Sequence, residues 1–228
     1  LTGQYLSVPS AIGFIAVFGV MFYSILKHRK SLGHKSASFH ESVTVEIAWT
    51  IVPFLIVTAM GLLATKTVVA MKDTSNADLT IKTTGYQWKW HYKYLGQDVA
   101  FFSNLATPQK QIHNQAAKGE HYLLEVDQPL VLPQGTKVRL LVTSADVIHS
   151  WWVPALAVKK DAIPGFVNES WTRIDEPGLY RGQCTELCGK DHGFMPVVVE
   201  VKSKEDFATW LAERKQAALA EQELTSKA

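Results

Sequence analysis

Two long stretches without a charge govern what this chain can fold into. From Leu6 to Leu26, 21 residues pass with no Asp, Glu, Lys or Arg, through Phe14, Ile15, Val17, Phe18, Val20, Met21 and Phe22. From Ile47 to Thr65 another 19 do the same. About 20 apolar residues are what an α-helix needs to cross the hydrocarbon core of a bilayer. A cleaved signal peptide has a shorter apolar region behind a basic start, and the first stretch has neither. Pro53 and Gly61 lie inside the second, and both are better tolerated in membrane helices than in soluble ones. The competing reading, a buried helical pair in a soluble protein, would show polar residues at every third or fourth position. Residues 1–72 are therefore expected to form a two-helix transmembrane hairpin whose partner is the lipid bilayer.

Charge placement orients the hairpin. Residues 27–42, in the connection between the two stretches, hold Lys27, Arg29, Lys30 and Lys35 against Glu41 alone, while residues 1–26 carry no charge. An excess of Lys and Arg in a short loop keeps that loop in the cytoplasm or matrix, which sends both ends of the chain to the opposite side. Residues 73–201 then carry 12 bases and 14 acids. That balance offers nothing for nucleic acid to bind, and 19% charged against 47% apolar residues excludes disorder and a coiled coil.

Beyond Lys72 the pattern changes to short runs rich in β-branched and aromatic residues, starting at Leu79, Tyr86, His121, Lys137, Ser170, Leu179 and Val197. Turn signals at Gly96, Pro129, Pro133 to Gly135, Pro164-Gly165 and Pro177-Gly178 separate them. Seven or eight strands imply an antiparallel sandwich or barrel over residues 73–202. The last segment, residues 203–228, opens with Ser203 as N-cap and Asp206 three residues on, and reads as a surface helix with a polar, frayed tail after Glu221. The fold class is mainly β.

The two cysteines are Cys184 and Cys188, with His192 four residues later and Met195 three after that, in a segment punctuated by Gly182, Gly189 and Gly193. Thiolate, imidazole and thioether crowded into one loop form a soft ligand set of the kind that selects copper. A second imidazole is needed. His28, His34 and His40 fall on the other side of the membrane, and His113 and His121 flank a polar segment. His149 lies at a strand end among apolar neighbours, while His91 alternates with Trp88 and Trp90 and is not excluded by spacing; His149 is the candidate taken. Two alternatives stay open at this point. A Cys184–Cys188 disulfide would close a very small, strained loop, and Cys2His2 zinc would leave Met195 without a role.

The hairpin, EIAWTIVP, GYQWKWHYKY, LLEVD, DVIHSWWVP, DAIPG and CTELCGKDHGFMP, in this order, strongly resemble subunit II of haem-copper cytochrome c oxidase of the bacterial type, over residues 1–205. The resemblance implies a cupredoxin-like Greek-key sandwich carrying the dinuclear copper centre CuA. In that centre Cys184 and Cys188 bridge both coppers, His149 and Met195 complete one, and His192 and the backbone carbonyl of Glu186 complete the other. It further implies that Trp88 is where electrons arrive from cytochrome c, that the Glu186 carboxylate serves a magnesium or manganese site shared with subunit I, and that Glu46 sits near a proton-uptake path. Asp127 and Asp146 match acids that attract the donor, with Ala145 where many relatives add another. Haems and oxygen reduction would belong to subunit I of a proton-translocating complex that also includes subunit III. The expected location is the bacterial cytoplasmic membrane with the copper domain in the periplasm, in preference to the mitochondrial inner membrane. No C-x-x-C-H haem-attachment run occurs in the sequence.

Rival functions separate on the same residues. Quinol oxidases of this superfamily have lost the copper ligands, and nitrous oxide reductase carries a similar motif without the spans. A nitric oxide reductase with a CuA subunit differs mainly in its partner chain. A membrane-anchored copper store or delivery protein would need an open, exchangeable site, whereas this ligand set is saturated.

Overall fold

A computed structural model describes residues 2–33, 35, 38 and 40–226; of the histidines set aside above, His34 lies outside them. Helix α1 runs Thr2–Lys27 and helix α2 Val43–Lys72. At ~1.5 Å per residue both exceed the ~30 Å of a bilayer core. Their windows reach a mean hydropathy of 1.8 and 2.2, and none of either window is buried against protein. Side chains such as Phe14, Val20, Phe54 and Leu62 are exposed around these helices, an arrangement suited to lipid rather than water. Polar atoms inside α2 are handled locally: the Thr50, Thr58 and Thr65 hydroxyls donate to the carbonyls of Glu46, Phe54 and Gly61 one turn back, each at 2.8 Å. Helix α2 extends beyond the uncharged stretch at both ends. By contact density the described chain forms one helical unit up to Met60 and a second unit from Gly61 onward.

The second unit is built on ten strands: β1 Leu79–Tyr86, β2 Lys89–Tyr94, β3 Val99–Ser103, β4 Leu130–Pro133, β5 Val138–Ser144, β6 His149–Val153, β7 Val158–Ala162, β8 Asn168–Thr172, β9 Gly178–Cys184 and β10 Pro196–Lys202. A single-turn helix α3, Gln109–Ile112, interrupts the stretch between β3 and β4. The strands form two five-stranded sheets, ordered β3-β2-β1-β5-β8 and β4-β10-β9-β6-β7. The sandwich is as expected, but it is mixed and not purely antiparallel, because β1 pairs with β5 and β4 with β10 in parallel.

Three strands, β3, β4 and β7, escape the sequence reading, a fourth, β6, enters it only through the placing of His149 at a strand end, and one expected strand is absent. Strand β3 is short, with Val99, Phe101 and Ser103 inward. Strand β4 sits between prolines that look like breaks; Pro133 is its last residue, where a missing N–H is tolerated. Strand β7 has the polar centre Lys159, Lys160 and Asp161 of a charged edge strand. His121–Asp127 has strand-like composition, yet Leu123 takes a φ of +61° and Leu124 N–H returns to the His121 carbonyl at 2.9 Å. Among the described residues its β-type pairing is an isolated bridge between Leu105 and Val126, outside both sheets.

Between the sheets, Ile81, Trp90, Tyr92, Tyr94, Leu130, Leu140, Trp151, Val197 and Val199 are fully buried. Three of the buried aromatic tips pair: Tyr94 Oη donates to the Val131 carbonyl at 2.8 Å and accepts its N–H at 3.0 Å, and Trp151 Nε1 donates to Tyr92 Oη at 3.2 Å, whereas Trp90 Nε1 has no hydrogen-bond partner among the described residues. Helix α4, Lys204–Ser226, is longer than expected, and the backbone after Glu221 remains helical. It opens with the expected cap, the Ser203 hydroxyl accepting from Asp206 N–H at 3.0 Å. Its Phe207 and Trp210 rings pack against Tyr94, with centroids 6.4 and 5.4 Å away.

Candidate metal centre

Strands β6 and β9 are antiparallel neighbours, with Trp151 opposite Cys184. Their pairing carries Cys184, the last residue of β9, to the strand on which His149 is the first residue. The Thr185 N–H then donates to the Ser150 carbonyl at 3.1 Å, so the loop after Cys184 folds back over the start of β6. On the other flank of β9, Pro196 of β10 pairs with Gln183, and Cys184 N–H donates to the Met195 carbonyl at 3.0 Å. Backbone ladders thus bring Cys184, Met195 and the sequence-remote His149 to one end of the sandwich.

The side chains converge there. Cys184 Sγ lies 3.8 Å from Cys188 Sγ, 4.0 Å from His149 Nδ1 and 3.4 Å from the Glu186 carbonyl oxygen, and Cys188 Sγ lies 3.5 Å from His192 Nδ1. Donor atoms of His149, Cys184 and Cys188 all fall within 4.8 Å of one another, and all three residues are buried. Met195 is 1% exposed and belongs to the same apolar cluster as both cysteines. The cysteines are free thiols, not a disulfide. A thiol pair, two imidazoles and a thioether inside an apolar cluster fit a soft, thiophilic ion far better than a hard one.

His149 is held as a ligand would be. Its Nε2 lies 2.8 Å from Asp146 Oδ1, which leaves Nδ1 facing the sulfurs. An imidazole whose far nitrogen bonds a carboxylate has its ring orientation and tautomer fixed, as metal-binding histidines generally do. Burial pushes the His149 pKa down, but the Cys184 and Asp146 partners outweigh it and hold it above the ordinary value. Burial raises Asp146, and bonds from His149 and from the N–H groups of Gln87 and Val147 overcome this and hold its carboxylate low. Burial also raises both thiols; hydrogen bonds from His149 and the backbone of Ser150 and Glu186 bring Cys184 below the usual thiol value, while the neighbouring Cys184 pushes Cys188 further up.

The remaining candidates fall into place around this cluster. Trp88 is remote in sequence but not in space: its Nε1–H donates to the Cys188 carbonyl at 3.3 Å. The Glu186 side chain is exposed beside its loop carbonyl. Asp146, read from the sequence only as a surface acid, keeps 31% of its side chain exposed while it orients His149. Asp127 is exposed and engages Asn104 through both carboxylate oxygens, at 2.8 Å each. Glu46 lies in the first turn of α2, where its carboxylate accepts from Ser42 N–H at 3.4 Å. His91 is on the opposite face of β2 from Trp90 and Tyr92, its ring tilted 56° against Phe102 with centroids 4.7 Å apart.

Gly85 is a functional residue that sequence reasoning missed. A Cβ there would stand 2.7 Å from His149 Cδ2, so only glycine lets β1 pass against the imidazole. Asp146 could have been found from its D-x-x-H spacing to His149; Gly85 gave no signal beyond being a glycine in a strand.

Comparison with known proteins fits this geometry. Residues 79–202 match the family described as the periplasmic domain of cytochrome c oxidase subunit II, and residues 4–66 match its transmembrane domain. A probable cytochrome c oxidase subunit 2 of Rickettsia prowazekii (strain Madrid E) is 39% identical over 203 residues, 89% of this chain and 64% of that protein. Cytochrome c oxidase subunit 2 of Cereibacter sphaeroides is 37% identical over 224 residues, 92% of this chain and 74% of that protein. The chain thus spans a little under two thirds of the Rickettsia relative's length. Among solved structures, the periplasmic domain of subunit II of cytochrome oxidase from Bradyrhizobium japonicum aligns with a TM-score of 0.57 and 42% identity, over 63% of this chain and 98% of that one.

Proposed function

The chain belongs to the cytochrome c oxidase subunit II family, and on that basis we propose that its sandwich carries a dinuclear copper centre, CuA, which receives electrons from cytochrome c and passes them to haem in subunit I, where oxygen is reduced to water. The observation that carries the proposal is the convergence of His149 Nδ1 and the two cysteine sulfurs within 4.8 Å, with His192 Nδ1 3.5 Å from Cys188. Cys184 and Cys188 would hold both coppers, His149 and Met195 one of them, and His192 and the Glu186 carbonyl the other. When bound, such a pair would supply one-electron redox chemistry, its charge change spread over both ions so that the surroundings would rearrange little on reduction. The protein's part is to keep that set closed: every ligand comes from the chain, the sulfurs are buried, and no position is left for substrate.

Other residues take roles around this centre. Trp88, in contact with the Cys188 carbonyl, would receive the electron from the donor. The exposed Glu186 carboxylate would meet a magnesium or manganese ion at the boundary with subunit I. Asp127 and the exposed part of Asp146 would help attract the donor. The basic connection between the helices supports the hairpin's orientation, with Lys27 to Lys35 in the cytoplasm and the sandwich in the periplasm of a bacterial membrane. Glu46, at the start of α2, would then belong to the side from which protons are drawn.

The saturated ligand set disfavours a copper store, and a nitric oxide reductase would differ in its partner rather than in this chain. Purified native complex should show haem bands, take up oxygen with reduced cytochrome c, and lose that activity together with its copper signal when Cys184 is replaced by Ser. Nitric oxide consumption without oxygen uptake would assign the chain to the alternative.

A further inference from the structure

The turn joining β1 to β2 consists of Gln87 and Trp88, and three hydrogen bonds tie it to both halves of the site. Gln87 N–H donates to Asp146 Oδ2 at 2.7 Å, and Asp146 Oδ1 holds His149. Gln87 Nε2 donates to the Cys188 carbonyl at 2.8 Å, and Trp88 Nε1 donates to the same oxygen at 3.3 Å. A carbonyl oxygen has two lone pairs and can accept both donors. The two bonds are unequal: the amide's has ordinary length, whereas the indole's exceeds the usual N–H···O range. The backbone beneath them is shaped for the contact. Gly189, the next residue, has a φ of +116°, and a Cβ on it would stand 2.9 Å from Gln87 Nε2 and 3.2 Å from Trp88 Cζ2.

We propose that Gln87 is a positioning residue for electron transfer: with its backbone N–H on Asp146 and its side-chain amide on the Cys188 carbonyl, it holds the Trp88 indole against the loop that carries both cysteines. This rests on the copper reading above. In the step concerned, the donor cytochrome gives up one electron and is oxidised, and the copper pair is reduced by that electron, with no bond formed or broken. Gln87 does not carry the electron. It fixes the gap that the electron crosses, and the rate of electron transfer falls steeply as that gap widens.

The test uses the full complex with Gln87→Leu, which keeps bulk and removes the donor. A second variant, Gln87→Glu, keeps length but turns an oxygen toward the carbonyl. Both should retain two coppers per chain and the wild-type paramagnetic spectrum, keep the KM for cytochrome c, and slow the maximal rate of copper reduction severalfold. In isotope-labelled, copper-free full chain, the Trp88 indole N–H resonance, assigned by its loss in Trp88→Phe, should shift and exchange faster in both variants. An unchanged rate with an unmoved indole resonance would overturn the proposal. A raised KM at unchanged maximal rate would also overturn it and make Gln87 a docking residue. Loss of copper from both variants would overturn it as well, making the residue part of the scaffold alone. If the unaltered complex lacks a copper-pair signal, it is the copper reading that fails, independently of Gln87.

Discussion

At the scale of single residues, the site depends on side chains that touch no ion. Asp146 fixes the imidazole of His149 through a 2.8 Å bond while two backbone N–H groups hold its charge in place. Asp146→Asn keeps the shape but weakens that partner, so copper affinity should fall by about ten- to a hundredfold, as outer-shell substitutions commonly cause. Competition with a chelator would measure it, and unchanged affinity would restrict Asp146 to the surface. Gly85 offers a complementary probe. Gly85→Ala places a methyl 2.7 Å from the ring of His149, so the imidazole must shift. The copper spectrum should change even though no ligand has been altered. An unchanged spectrum would show that β1 yields instead. The cysteines, His192 and Met195 could be read from spacing because one short loop carries them. Gly85 and Gln87 could not be singled out as parts of the site, since their role exists only once β1 and β6 face each other across the sandwich.

At the scale of elements, the membrane helices and α4 were the most legible, because each is encoded locally. Uncharged length marks α1 and α2, and the Ser203 to Asp206 cap marks the start of α4. The strands were read less completely where pairing decides the outcome. The polar centre of β7 is tolerated because it lies on a sheet edge beside β6, and Pro133 can end β4 because that strand is itself an edge, beside β10. Parallel pairing itself has no local signature, which is why the sandwich looked antiparallel from the sequence. Helix α4 is more than a tail: Phe207 and Trp210 cover Tyr94 at the end of the core. Ser203→Ala should therefore cost about 1 kcal/mol and lower the thermal midpoint of the sandwich by about 2–4 °C. Calorimetry of the full chain would check this. An unchanged midpoint would mean that α4 folds without supporting the sheets.

At the scale of the whole molecule, the chain combines a lipid-facing hairpin with a domain that gathers soft ligands at one end of two sheets. The proposed orientation gives Glu46 and the copper ligands separate tasks. Glu46→Gln removes an ionisable group while keeping the side chain's shape, so steady oxygen uptake should fall while reduction of the copper by cytochrome c stays fast. Stopped-flow and oxygen-electrode measurements on one preparation would separate the two rates, and equal loss of both would argue that α2 is disturbed as a whole. Beneath every functional assignment lies the claim that this one chain binds two coppers that share an electron. Electron paramagnetic resonance of the copper-loaded full chain, with its copper content determined on the same sample, tests it most directly. One unpaired electron shared equally by two copper nuclei gives a seven-line hyperfine pattern, and the account predicts that pattern with two coppers per chain; a four-line pattern with one copper per chain would contradict it.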